Sequence, residues 1–268
     1  MGQLELVAKV CETYRAQRAM GGEAVEHPLA TLVRAPEHPD VYDSNHASGV
    51  RATTPKEIDE IFAACDAFFP AAIRHRKFFA DIETPQPFVA RLAQDGYTCE
   101  SVVQLVLEGD LRATPPDAEI REAVSDDDWQ AVSLLTRLDH LDGAVREKRE
   151  PFSKDVTLGL VAARRGMSSD MRMWIIRNDA EDCGYFASWP GRNGVGMVEW
   201  LFMVPQQRRR GFATALVAHA VRDARARGAG AVLIGASAAG DGVPRRMYEA
   251  LGFRPVCLTH EFTRQVKG

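Results

Sequence analysis

Three consecutive arginines followed by a glycine, Arg208–Gly211, are the residues of this chain whose types and spacing most clearly suggest chemistry. They stand between an apolar run that ends at Met203 or Val204 and an alanine-rich stretch. Free backbone N–H groups at a helix start attract anions, and glycine lets a ligand approach the backbone closely. Three interpretations are open: a nucleic-acid patch, a solvated helix start and a phosphate-binding turn.

The composition of the whole chain argues against a general polyanion binder. The 268 residues carry a formal net charge of -4, whereas non-specific affinity for nucleic acid needs a surplus of Lys and Arg. Hydrophobic residues make up 46% and charged residues 26%, and no apolar run is long enough to cross a bilayer. These values predict a soluble protein without nucleic-acid or membrane partners.

The cysteines give information about metals and location. They are five in number, scattered and never spaced as CxxC: Cys11, Cys65, Cys99, Cys183 and Cys257. This pattern favours neither a disulfide framework nor a zinc site. The N-terminal segment does not resemble a signal peptide, so we expect reduced thiols and a cytoplasmic protein.

The elements that must position the arginine turn are legible from about residue 118. Hydrophobic periodicity predicts a strand, two helices, an antiparallel meander of three strands, a helix after Gly211, a strand, a helix and a final strand. The order is β α α β β β α β α β. It places the turn between the third meander strand and a helix.

The first 112 residues repeat part of this pattern more weakly. Laying Gly96 over Gly252 aligns a helix, a glycine–aromatic stop and a strand in both parts, which suggests an internal repeat. A proline-containing segment fits a linker between two halves. The predicted division is a domain of residues 1–112, a linker of residues 113–118 and a domain of residues 119–268.

Two segments carry a resemblance to a known family. Arg208–Ala213 resembles R/Q-x-x-G-x-G/A, the acetyl-CoA pyrophosphate loop of the GNAT superfamily of N-acetyltransferases, and Asp241–Phe253 is similar to its N-x-x-A-x-x-x-Y-x-x-x-G-F segment. The resemblance covers about residues 118–268. It implies an α/β (α+β) GNAT fold, with a mixed, mostly antiparallel sheet flanked by helices and two GNAT-like domains in tandem. Asp241 departs from the usual Asn, and Ala213 replaces the commoner second glycine.

The resemblance also implies acetyl-CoA as co-substrate, without a metal. Strand residues 201–203 would pair with the pantetheine arm, and residues 208–214 would wrap the pyrophosphate. The implied cofactor-binding residues are Leu201, Phe202, Met203, Arg208, Arg209, Arg210, Gly211, Phe212, Ala213, Thr214 and Asp241.

Two residues are candidates for the acid and the base. Tyr248 stands where the family has its general acid for the departing thiolate; the alternative is a helix tyrosine packed beside Leu251. Glu199 is a candidate base, since strand alternation puts it on the same face as Leu201 and Met203. Its alternative is a salt bridge to a neighbour.

The remaining candidates have weaker support. Trp189 and Trp200 line an acceptor pocket in one interpretation and belong to the core in the other. The first half lacks the arginine–glycine loop, and Leu92 falls where Tyr248 stands. It therefore resembles a degenerate GNAT-like domain that covers a sheet edge or shapes the acceptor pocket. His46 lies in a polar cluster that either contacts substrate or forms a turn.

The resulting functional hypothesis is an acetyl-CoA-dependent N-acetyltransferase that acts on a primary amine of a small molecule or peptide by direct attack. The runner-up is a non-catalytic acyl-CoA-binding sensor or regulatory module. Nucleic-acid binding through Arg208–Arg210 is the third hypothesis and predicts a steep dependence on salt. A homodimer is left open.

Overall fold

The structure, a computed structural model, describes residues 2–113, 115–240 and 242–266, and these residues form seven α-helices and eleven strands. The helices are α1 Gln3–Ala19, α2 Pro55–Phe68, α3 Gln86–Gln94, α4 Asp126–Glu147, α5 Lys154–Gly166, α6 Phe212–Ala226 and α7 Val243–Ala250. The strands are β1 Glu23–His27, β2 Ala30–Arg34, β3 His46–Ser48, β4 His75–Ala80, β5 Thr98–Leu107, β6 Glu119–Glu122, β7 Arg172–Asn178, β8 Glu181–Trp189, β9 Val195–Met203, β10 Ala231–Ser237 and β11 Arg254–Gln265. Short 3-10 turns lie at Tyr42–Ser44 and Pro205–Gln207.

The predicted fold class is confirmed. From β6 to β11 the elements follow the predicted order of strand, two helices, three strands, helix, strand, helix and strand. In the first part of the chain, β1 and β3 are strands that were not predicted. β3 has three residues, which is too short to show an alternating pattern.

The described residues form two compact units that do not follow the order of the chain. The first contains the described residues of Met1–Leu105, Gly235–Arg245 and Pro255–Gly268, and the second those of Val106–Ile234 and Arg246–Arg254. Each unit therefore takes segments from both sides of the predicted linker. The division into domains at residues 113–118 stays a prediction.

The first unit is built on six strands in the order β1-β2-β3-β4-β11-β5. The β3/β4 pair is parallel, whereas β1/β2, β2/β3 and β4/β11 are antiparallel. Helices α2 and α3 bury apolar side chains in its core, which includes Ile61, Phe78, Phe88, Leu92 and Phe262. Phe262 comes from β11, so the last strand of the chain completes this core.

His46 is a buried residue of the first unit and belongs to β3. Its Nδ1 lies 2.9 Å from the carbonyl oxygen of Asp43. Burial lowers the pKa of its imidazole to about 3, which keeps the ring neutral at physiological pH. The polar segment around it therefore forms a short strand and not only the turn that its composition suggested.

The second unit is built on five strands in the order β10-β9-β8-β7-β6. The β9/β10 pair is parallel and the other three are antiparallel. Tyr185 and Ser188, three residues apart in β8, point to opposite faces. The Tyr185 hydroxyl donates to Asp139 of α4, and the Ser188 hydroxyl donates to Asp223 of α6. Helices α4 and α6 thus cover opposite faces of the sheet.

Helix α4 begins with a capping box that predicts a measurable effect on stability. The Ser125 hydroxyl accepts from the Asp128 N–H, and the Asp128 carboxylate accepts from the Ser125 N–H. We expect Ser125→Ala to lower the free energy of unfolding by about 1 kcal/mol in urea denaturation. Ser133→Ala, in the interior of the same helix, is the matched control and should cause no loss.

The pH dependence of this cap follows from its carboxylate. Hydrogen bonds from Ser125, and then from Arg121, lower the pKa of Asp128 in the folded state. Its contribution is therefore complete above the unfolded pKa of about 4 and disappears as the pH falls through the folded value. An equal loss for Ser125→Ala at neutral and strongly acidic pH would contradict this assignment.

Candidate active site

The turn after β9 has the geometry of an anion site. Gly211 is the N-cap of α6, has a φ of +86°, and provides no side-chain cap. The first hydrogen bond of the helix runs from the Ala215 N–H to the Gly211 carbonyl, at 3.0 Å. The N–H groups that precede Ala215 at this helix start therefore face outward with the positive end of the helix dipole. Such a site suits a phosphate or pyrophosphate group.

The arginines of the turn differ in their contacts. Arg208 donates from Nε to the Met203 carbonyl at 3.0 Å and from Nη2 to Asp142 of α4 at 2.6 Å. Arg210 donates to Gln207 at 2.6 Å, and Arg209 is exposed with a φ of +66°. Arg208 thus fixes the end of β9 to α4, a contact that the sequence did not indicate.

The segment before β6 lies against this turn. A Cβ atom placed on Gly211 would lie 3.0 Å from Cγ of Pro116. Pro116, with Asp117 and Ala118, also lines a cavity of about 240 Å³ that reaches His219 of α6. The predicted linker is therefore part of the surroundings of the turn.

Strand β9 contains a bulge close to its end. Ala187 of β8 pairs with Glu199, whereas Tyr185 pairs with Phe202. Two residues of β9, Trp200 and Leu201, therefore oppose one residue of β8, and Trp200 has a φ of +65°. An extra residue reverses the alternation of faces beyond it.

The bulge places Glu199 on a different face of β9 from the one predicted. Strict alternation put Glu199 on the same face as Leu201 and Met203, and this was wrong. Because the bulge lies between them, Glu199 shares its face with Phe202, through their partners Ala187 and Tyr185. This is the face that α4 covers.

Strands β9 and β10 stop pairing close to the bulge. The parallel pairing of β9 with β10 ends at Val198 and Ile234 within the described residues, while β9 continues to Met203. The backbone of residues 201–203 thus extends beyond the last pair. Peptide groups in this position can form hydrogen bonds with an extended chain that carries amides.

Tyr248 and Glu199 interact in the second unit. Tyr248 lies on α7, is 4% exposed and has its ring centroid 6.1 Å from that of Phe253. Burial, and then the negative charge of Glu199, raise the pKa of its phenol. The phenol is therefore protonated at neutral pH beside a half-buried carboxylate. Asp241, the remaining candidate of this segment, lies outside the described residues.

A polar cluster next to the bulge contains residues that were not predicted as site residues. Arg164 of α5 stacks on the Trp200 ring at 4.6 Å and donates to the Tyr185 hydroxyl at 3.2 Å. Asp139 accepts from the same hydroxyl, and burial raises its pKa. Helix residues far apart in sequence gave no local signal for this cluster. Trp189 is buried in the core, whereas Trp200 is half-buried.

Two further observations concern ligands and membranes. Across residues 2–113, 115–240 and 242–266, no three His, Cys, Asp or Glu side chains are grouped in a way that would hold a metal ion. In the same ranges, every helix is too short or too polar to span a bilayer.

Comparison with known proteins identifies this region. Residues 169–255 match the family model of the acetyltransferase (GNAT) domain. This part of the chain is a GNAT domain. It includes β9, the arginine turn, α6 and Tyr248. No curated protein gives a significant match to the chain.

Solved structures share the GNAT fold over most of the chain. A GCN5-related N-acetyltransferase from Kribbella flavida is 17% identical with a TM-score of 0.71, and the match covers 98% of this chain and 96% of that one. A putative GNAT acetyltransferase from Novosphingobium aromaticivorans is 15% identical with a TM-score of 0.57, covering 94% and 96%. A tandem GNAT protein from the clavulanic acid biosynthesis pathway is 14% identical with a TM-score of 0.57, covering 90% and 80%.

Proposed function

We propose that the protein is an acetyl-CoA-dependent N-acetyltransferase that acts on a primary amine of a small molecule or peptide. One observation carries the proposal: the GNAT domain combines an uncapped helix start at Gly211 with an interacting pair, Glu199 and Tyr248. The first is suited to the pyrophosphate of acetyl-CoA, and the second is suited to proton transfer.

Cofactor binding in this proposal uses the turn and the end of β9. The pyrophosphate accepts hydrogen bonds from the N–H groups of residues 211–214, while Arg209 and Arg210 neutralise its charge. The pantetheine amides pair with the backbone of residues 201–203, which extends past the last β9/β10 pair. These contacts would orient the thioester carbonyl toward the amine.

The chemical step consists of a direct attack and two proton transfers. The amine nitrogen forms a bond to the acetyl carbon, the carbon–sulfur bond breaks, and the amine proton passes to Glu199. Tyr248 gives its proton to the departing thiolate. Protonation of Glu199 removes the negative charge that raises the pKa of Tyr248, so the phenol becomes a stronger acid as the thiolate leaves. Transfer of the proton from Glu199 to Tyr248 through solvent restores both groups.

The Glu199→Gln variant tests the interaction between Glu199 and Tyr248. The variant lacks the proton acceptor, and we expect kcat to fall roughly 10²-fold at neutral pH with little change in acetyl-CoA affinity. The pKa of Tyr248 should move down because the amide carries no charge. Steady-state kinetics measure the fall in kcat, and calorimetric titration measures the affinity for acetyl-CoA.

Glu181→Gln is the control for this variant, because Glu181 is an exposed strand glutamate in the same compact unit. It should leave both the kinetics and the titration unchanged. If Glu199→Gln keeps full activity across the pH range, Glu199 is not the base.

The proposed activity is tested by thiol release from acetyl-CoA with a panel of small amines and peptides. Turnover with at least one acceptor class is the expected result. Tight CoA binding without turnover on any acceptor would instead indicate an acyl-CoA sensor. Nucleic-acid binding that weakens steeply with salt and is lost in Arg208→Ala would favour the third hypothesis.

We propose that residues 1–112 derive from a second GNAT-like domain that lacks the pyrophosphate loop; the likeness to a tandem GNAT structure supports this. We also propose a cytoplasmic protein with reduced thiols. Analytical ultracentrifugation would measure directly whether two copies of the chain associate.

A further inference from the structure

Two cysteines of the first unit face each other across a helix and a strand. Cys11 belongs to the buried face of α1, and Cys257 lies half-buried on β11. They are 246 positions apart in sequence, and neither takes part in the proposed acetyl transfer. Both thiols are free in the structure.

The packing of α1 on β11 places these thiols opposite each other. The Tyr14 hydroxyl donates to Glu261 at 3.4 Å, and Arg18 lies 3.6 Å from the same carboxylate. Cys11 shares a helix face with Tyr14 and Arg18, at spacings of three and seven residues. Cys257 shares a strand face with Glu261, four residues away. The face of α1 that carries Cys11 thus meets the face of β11 that carries Cys257.

The two side chains interact directly. The two thiols lie within hydrogen-bonding contact of each other. This contact is the largest cause of a raised pKa at Cys11 and of a lowered pKa at Cys257. Arg15 and Asp81, which form an ion pair at 2.5 Å, are the neighbouring charges: Asp81 raises both pKa values and Arg15 lowers that of Cys11.

The two cysteines therefore differ in a way that suits sequential oxidation. Cys257 is the more accessible thiol, so a peroxide reaches it first. Cys11 is buried against it and is placed to react next. Sulfur atoms that are already in hydrogen-bond contact need only a small rotamer change to reach a disulfide bond length of about 2.05 Å.

We propose that Cys11 and Cys257 form an oxidative modification site, at which hydrogen peroxide produces a disulfide between α1 and β11. The Cys257 thiolate attacks the peroxide oxygen and becomes a sulfenic acid, and hydroxide leaves. The Cys11 thiol then attacks the Cys257 sulfur, and the sulfenic oxygen leaves as water with the thiol proton. A thiol reductant reverses the bond by exchange.

The test uses the full-length wild-type protein treated with hydrogen peroxide. Peptide mapping by mass spectrometry should find a linked pair of peptides containing Cys11 and Cys257, lighter by two hydrogen masses and separated by dithiothreitol. Because the bond closes a long loop, the midpoint of thermal unfolding should rise by about 5 °C or more and return after reduction.

Two variants separate this site from general thiol oxidation. Cys257→Ser should prevent the linked peptide and the rise in the unfolding midpoint, whereas Cys99→Ser, at an exposed cysteine, should keep both. Mapping of the wild type keeps the test valid even if a variant folds poorly. The proposal is overturned if peroxide oxidises Cys99 while Cys11 and Cys257 stay unlinked. This outcome would leave the proposed acetyl transfer unaffected.

Discussion

Replacing Tyr248 with phenylalanine is expected to lower kcat by about 10³-fold and to leave the Kd for acetyl-CoA nearly unchanged. The hydroxyl is the proposed proton donor to the departing thiolate, and phenylalanine keeps the buried ring beside Phe253. Pre-steady-state kinetics would separate the chemical step from product release, and calorimetry with CoA would measure binding.

The control for this variant is Tyr97→Phe. Tyr97 is also buried, burial raises the pKa of its phenol to about 12, and its hydroxyl has no hydrogen-bond partner among the described residues. Its removal should change neither kcat nor binding. If Tyr248→Phe retains wild-type kcat, Tyr248 is a packing residue and another group protonates the thiolate.

Replacing Gly211 with valine is expected to weaken acetyl-CoA binding roughly 10²- to 10³-fold. The residue has a φ of +86°, which is strained for a β-branched side chain, and its Cβ would approach Pro116 to 3.0 Å. The side chain would also cover the N–H groups to which the pyrophosphate binds. Calorimetric titration with acetyl-CoA and with CoA measures the loss.

Gly228→Ala separates strain from site chemistry. Gly228 follows the other end of α6 with a φ of +110°, and a Cβ there would meet nothing within 4 Å. We expect a loss of stability of about 1 kcal/mol without loss of affinity. Normal acetyl-CoA binding by a folded Gly211→Val protein would show that the pyrophosphate lies elsewhere.

The arginine turn was predictable because its signals are local. A glycine after an apolar strand and before an alanine-rich helix specifies a helix start, and helical spacing then predicted α6. The element order from β6 to β11 followed from hydrophobic periodicity for the same reason. A resemblance of two short motifs added the chemistry that periodicity does not contain.

The bulge in β9 was not predictable from these signals. It includes a left-handed Trp200, a conformation that the residue type does not indicate, and the Trp200 ring packs under Arg164 of α5, which is distant in sequence. Strict alternation therefore assigned Glu199 to the wrong face. Its interaction with Tyr248 depends equally on tertiary structure, because the two residues are 49 positions apart.

The pairing of β11 with β4 has a consequence for how the protein forms during synthesis. Phe262 enters the core of the first unit, and its strand is made after every other strand of that unit. Helices α2 and α3 and strand β4 therefore leave Phe78 incompletely covered until β11 has been made. The five strands that build the second unit, β6 to β10, are all made before β11. The order of folding would thus be the reverse of the order in which the two parts are made.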